Sequence, residues 1–175
     1  MMSDSDVDDL AQEPNAVEVS SSESQYHIQC EDVRLISSQL RPILQAEDDF
    51  PDSLIAFRIK AYVESQQALS VLEVQVKHIS KDEDEEIRRY YLRFSLLANF
   101  VSSQEIDREE MADFARMFTL SILWPYAREY ASDQLQRAGE DFVSLPIINP
   151  QVVTERLIAE DLVEISFDEM AVEAE

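Results

Sequence analysis

Apolar positions alternate with polar ones through most of residues 26–100 and recur at helical spacing afterwards. Tyr26, Ile28 and Cys30 share one face of an extended segment, and a change of phase at Asp32 lets Val33 and Leu35 continue it, which predicts a strand carrying a bulge. Arg41 to Ser53 contains Pro42, Pro51 and four acids, the composition of a long connecting loop. A second strand alternates cleanly, with Ile55, Phe57, Ile59, Ala61 and Val63 on one face and Arg58, Lys60, Tyr62 and Glu64 on the other. After a turn at Ser65-Gln66-Gln67, Leu72, Val74 and Val76 mark a third strand. Beyond the acidic turn Lys81 to Glu86, Tyr90, Leu92, Phe94, Leu96, Ala98 and Phe100 mark a fourth. Short turns between alternating strands predict an antiparallel meander buried on one face.

The period then changes to that of a helix. Met111, Phe114, Ala115 and Phe118 sit at i, i+3, i+4 and i+7. Asp107 and Glu110 have capping-box spacing, and Ile106 with Met111 has that of a hydrophobic staple, so a short helix is expected from Arg108. Ser121 can cap a second helix that carries Pro125 in its first turns and a stripe of Leu123, Ala127, Tyr130 or Ala131, and Leu135, ending at Arg137 before Gly139 as an αL stop. An extended apolar segment from Phe142 to Ile148 follows. Asn149 and Pro150 then read as the cap and first residue of a last helix through about Asp161. Strands first and helices after define an α+β class.

Composition narrows the chemistry. The 175 residues suit one domain plus tails, and the single glycine, Gly139, leaves no phosphate-cradling fingerprint of the dinucleotide or P-loop kind. A formal charge of −23 repels nucleic-acid phosphates and anionic lipid. Residues 1–24 hold seven acids and no base, the composition of a disordered arm, and 155–175 hold eight acids and one base. One cysteine, Cys30, an acidic start and the absence of a spanning apolar run point to a cytoplasmic protein. Two isolated histidines, His27 and His78, make no metal site and no Cys/His nucleophile, so neither cofactor, metal nor catalytic residue is expected. The chain is not expected to be an enzyme.

The run Leu123-Trp124-Pro125-Tyr126-Ala127-Arg128-Glu129, followed by Leu145-Pro146-Ile147-Ile148-Asn149, resembles the (L)-F/Y-P-Y-A/I-R-E … L-P-P-(I/V)-N signature of the SecB export chaperones and their SecB-like relatives. The resemblance covers roughly Tyr26 to Glu164. It implies a SecB-like domain over 25–164 between an acidic arm, 1–24, and an acidic tail, 165–175. It further implies a four-stranded antiparallel sheet with helices packed on one face, a homotetramer built as a dimer of dimers, and an ATP-independent holdase for unfolded polypeptides, such as preproteins awaiting export. The client groove would lie beneath the loops at Arg41 to Ser53 and Glu140 to Ile148. SecA is the family's docking partner, but the acidic positions it uses are Leu35, Gln39 and Arg93 here, so that surface is absent or reversed. Ile147 replaces the second proline of the motif, and Leu97 and Ala98 stand where the family often carries glycines. A SecB-like chaperone of a toxin-antitoxin system is therefore one alternative, and an acidic adaptor for one folded partner is another.

Candidate client-binding residues are Phe50 from the first loop and Phe142, Val143, Leu145, Pro146, Ile147 and Ile148 from the second. Apolar residues in a loop stay exposed for a partner or serve as a buried connection, and both readings stand at this point. The motif residues Trp124, Pro125, Tyr126, Arg128 and Glu129 read as core or interface, with Arg128 and Glu129 pairing locally or across subunits.

Overall fold

The computed structural model describes residues 27–43, 53–81, 87–140 and 145–167. In chain order these form β1 (Ile28–Pro42), β2 (Ser53–Val63), β3 (Gln67–Lys81), β4 (Ile87–Ser102), α1 (Arg108–Arg137), α2 (Pro150–Ala159) and β5 (Val163–Ser166). The sheet runs β1-β4-β3-β2-β5, antiparallel through its first four strands and parallel where β5 joins β2. The class is α+β, with a five-stranded mixed sheet and two helices.

Alternation decides which face is covered. Ile59, Leu72, Phe94 and Phe100 project from β2, β3 and β4 to one side and are fully buried beneath α1, together with Met111, Leu120, Leu123 and Leu135 of the helix. Phe100 meets Phe114 edge-on at 5.4 Å between ring centroids, Phe94 meets Tyr130 at 4.9 Å, and Phe57 meets Trp124 at 5.1 Å. Three aromatic contacts, spread from the start of α1 to its second half, fix its axis across the strands.

The helix ends follow the sequence signals. Asp107 Oδ1 accepts from the Glu110 amide at 2.7 Å at the start of α1. At its end Gly139 has φ 91°, its amide donates to Gln136 at 3.0 Å, and the Glu140 amide reaches back to Leu135 at 3.1 Å, a Schellman closure. Asn149 Oδ1 caps α2 by accepting from the Gln151 and Val152 amides. The same closure ends α2, with Asp161 at φ 56° in the glycine position and the Leu162 amide donating to Leu157 at 2.8 Å. That turn delivers Leu162, whose carbonyl accepts from the Ile59 amide at 2.9 Å and starts β5 against β2.

Three expectations are corrected. The two helices expected on either side of Ser121 are one helix of 30 residues, because Ser121 and Pro125 both lie on its exposed stripe, where a proline leaves the buried stripe unbroken. The sheet gains a fifth strand, a parallel one, from a four-residue segment too short to show alternation. The first strand runs through Pro42, two residues into the expected loop, and besides the expected bulge between Cys30 and Asp32 a second between Leu35 and Ser37 restores its phase. Replacing Gly139 with alanine puts a Cβ into the left-handed region and is expected to lower the unfolding free energy by about 1–2 kcal/mol in a urea titration.

Candidate functional site

The end of α1 and residues 145–149 ahead of α2 are both anchored to the rest of the fold. Arg128, one helical stretch before the end of α1, donates through Nε to the Leu145 carbonyl at 3.0 Å. Leu145 is 5% exposed and belongs to the core cluster, and Ile148 packs against that cluster from its edge. Between them Pro146 is exposed and Ile147 is 86% exposed. The segment is thus pinned at both ends by apolar burial and by a guanidinium, and it presents one bare aliphatic side chain to solvent. Phe50, Phe142 and Val143 lie outside the described residues.

A second set of contacts holds the root of this segment to the sheet. His78 Nε2 of β3 lies 3.2 Å from Glu140 Oε2, and the Tyr90 hydroxyl of β4 donates to the Ala138 carbonyl at 3.2 Å. Glu140 is almost fully enclosed, and its Oε1 has no hydrogen-bond partner among the described residues. His78, read in sequence as an isolated histidine, therefore has its partner 62 positions away, a separation no local pattern displays.

The motif residues divide by the helical period. Trp124 is 4% exposed and packs edge-on against Phe57, while Pro125 and Glu129 are exposed and Tyr126 is 50% exposed. Tyr126, Glu129 and Tyr130 line one wall of a cleft of about 410 Å³ whose other wall is Val33 and Leu35 of β1. Beside it Leu35 and Ile36 stand 46% and 51% exposed. Ile36 was missed because it is the extra residue of the second bulge. Cys30 on the same strand makes a poor nucleophile, since burial pushes its thiol above the usual range. No group of three or more metal-ligating side chains is found among the described residues, and no described helix is long and apolar enough to cross a membrane.

With this geometry in place, comparison with solved structures identifies the fold as SecB-like. The chain is similar to the SecB-like chaperone Rv1957 of Mycobacterium tuberculosis, solved in complex with a ChAD peptide from the antitoxin Rv1956 HigA1, with a TM-score of 0.53 and 17% identity over 70% of this chain and 88% of that one. No family model matches the chain, and no curated protein matches it.

The Arg128 contact is a charge-assisted bond to a carbonyl that closes the segment onto α1. Arg128→Ala is expected to cost about 1.5–3 kcal/mol of stability and to speed hydrogen exchange selectively in residues 145–149, read by native-state exchange with mass spectrometry.

Proposed function

We propose that the chain is an ATP-independent holdase that binds extended apolar stretches of non-native polypeptides at the segment 145–148. The observation that carries this reading is Ile147, 86% exposed on a segment whose neighbour Leu145 is buried and whose backbone is held by Arg128. A bare aliphatic side chain on a fixed base offers apolar area without an ordering cost on the chaperone's side. Support comes also from the fold shared with a chaperone solved with a peptide bound. In this reading Pro146 and Ile147 touch the client, Leu145 and Ile148 hold the segment in place, and Phe50, Phe142 and Val143 extend the apolar surface.

No catalytic group is required. Burying one large apolar side chain contributes about 1.5–3 kcal/mol and micromolar affinity needs about 8 kcal/mol, so roughly five to eight client side chains suffice after association costs. The reading places the protein in the cytoplasm between an acidic arm, 1–24, and an acidic tail, 165–175. Self-association belongs to it as well. β1 pairs with β4 along one edge, its other edge has no strand partner among the described residues, and Leu35 and Ile36 are exposed on it. A free edge of 15 residues with exposed aliphatic groups favours pairing with a second copy, the first step toward a dimer of dimers.

The antitoxin peptide bound to the structural relative favours a second reading, in which the client is one dedicated antitoxin rather than many preproteins. Docking of SecA through acids has little support, since Gln39 and Arg93 are paired in register on the exposed face of the sheet and Leu35 lies beside the cleft. An adaptor for a folded partner differs from both in selectivity.

Size-exclusion chromatography with light scattering, with a reduced and alkylated polypeptide and its folded form as the two probes, is expected to show co-elution with the unfolded chain alone. Binding of the folded form alone would overturn the holdase reading. Ile147→Asp is expected to weaken binding of the unfolded probe by about 10- to 100-fold with the thermal midpoint unchanged, and unchanged affinity would place the client surface elsewhere. Leu35→Lys with Ile36→Lys is expected to shift the particle to a smaller mass in the same measurement.

A further inference from the structure

The uncovered face of the sheet has the opposite charge to the rest of the chain. Residues paired in register across it include Arg41, Arg58, Lys60, Lys77, Arg89 and Arg93, six of the 14 bases in the sequence. Arg34 is cancelled by its ion pair with Asp32, which leaves Glu64 at the end of β2, Glu73 and Glu164 as the acids facing these six. Glu73 lies 3.5 Å from Lys60 and 3.7 Å from Arg93, so one carboxylate is shared between two cations. Beside it Ala56, Arg58, Gln75 and Arg93 border a cleft of about 310 Å³ at the β2 edge. By contrast, residues 107–161, which carry both helices, hold eleven acids and five bases. A chain of formal charge −23 thus gathers a net positive field on one sheet face.

We propose that this cationic face docks the acidic N-terminal segment of the same chain, residues 4–23. The inference rests on the fold and the charge distribution and not on the holdase reading. Residues 1–24 carry seven acids and no base, and the described chain begins at the edge of the sheet, where the His27 carbonyl accepts from the Ser103 amide beside β1. Twenty-odd residues reach about 75 Å when extended, against about 50 Å for a 15-residue strand, so the segment can lie across the cations of β2, β3 and β4. Tethering holds its carboxylates near the face at an effective concentration on the order of millimolar, ahead of any free acidic chain. A nucleic acid has the complementary charge as well, but the acidic remainder of the molecule repels a long polyanion. Docking neutralises the sheet face and leaves the helix side, with Ile147, open.

Zero-length carbodiimide cross-linking of the full chain, followed by mass spectrometry, tests this. The chain's lysines are Lys60, Lys77 and Lys81, and a Gln136→Lys variant adds one at the exposed end of α1 as an internal control. Docking predicts carboxylate links from residues 4–23 to Lys60 and Lys77 at least about fivefold above those to position 136. They should form within one copy when isotope-labelled and unlabelled protein are mixed, and should collapse at about 1 M salt, where the Debye length is about 3 Å. The double variant Arg58→Glu, Arg93→Glu should lose the same links while keeping its thermal midpoint. Equal yield at position 136, undiminished links in the double variant, or links only between copies would overturn the proposal. So would capture of oligouridine by the unaltered chain at about 0.15 M salt.

Discussion

One apolar contact organises the molecule: the buried stripe of α1 against the aliphatic and aromatic face of the meander. Met111, Phe114, Leu120, Leu123, Trp124 and Leu135 all lose their solvent there, and six large side chains at about 1.5–3 kcal/mol each make this contact the dominant local contribution to the fold. It also makes the two faces of the sheet unlike. A face covered by a 30-residue helix has to be apolar, so Arg58, Lys60, Lys77, Arg89 and Arg93 are displaced to the other.

The strands were legible because their alternation runs long, and the caps because Asp107, Asn149 and Gly139 each act within a few residues of themselves. What escaped sequence reading was whatever depends on distant partners. β5 exists only because the turn at Asp161 carries Leu162 to the Ile59 amide, about a hundred positions back in the chain. The continuity of α1 across Ser121 and Pro125 is set by which stripe faces water. A serine that can cap and a proline that can start a helix are ambiguous until the packing around them is known.

The candidate site shows the same division. Its motif was readable, but the sequence left all five of its residues as core or interface, and the packing of α1 divides them, with Trp124 inward and Glu129 outward. The apolar run after α1 looked uniform in sequence, however, and the fold splits it: Leu145 is taken into the core, Ile148 rests on its edge, and Ile147 is left outside. Only burial distinguishes residues of the same hydrophobicity, and here Leu145 joins the core cluster while Arg128 holds its carbonyl from the neighbouring helix.

On the proposed reading, that split bears on how apolar area stays available to an extended chain. An exposed aliphatic loop free to collapse onto itself would bury its own side chains and have little to offer a client. A segment tied down by Leu145, Ile148 and Arg128, with its root held by His78 and Tyr90, cannot retract Ile147 without breaking contacts worth more than the apolar area it would hide. The exposure is therefore maintained by the same packing that stabilises the fold. The cations of the opposite face are likewise kept outward because the pleat allows them no inward position. Both surfaces follow from one helix choosing one side of the sheet, which leaves an aliphatic residue bare at the helix end and a positive field on the far side of an acidic protein.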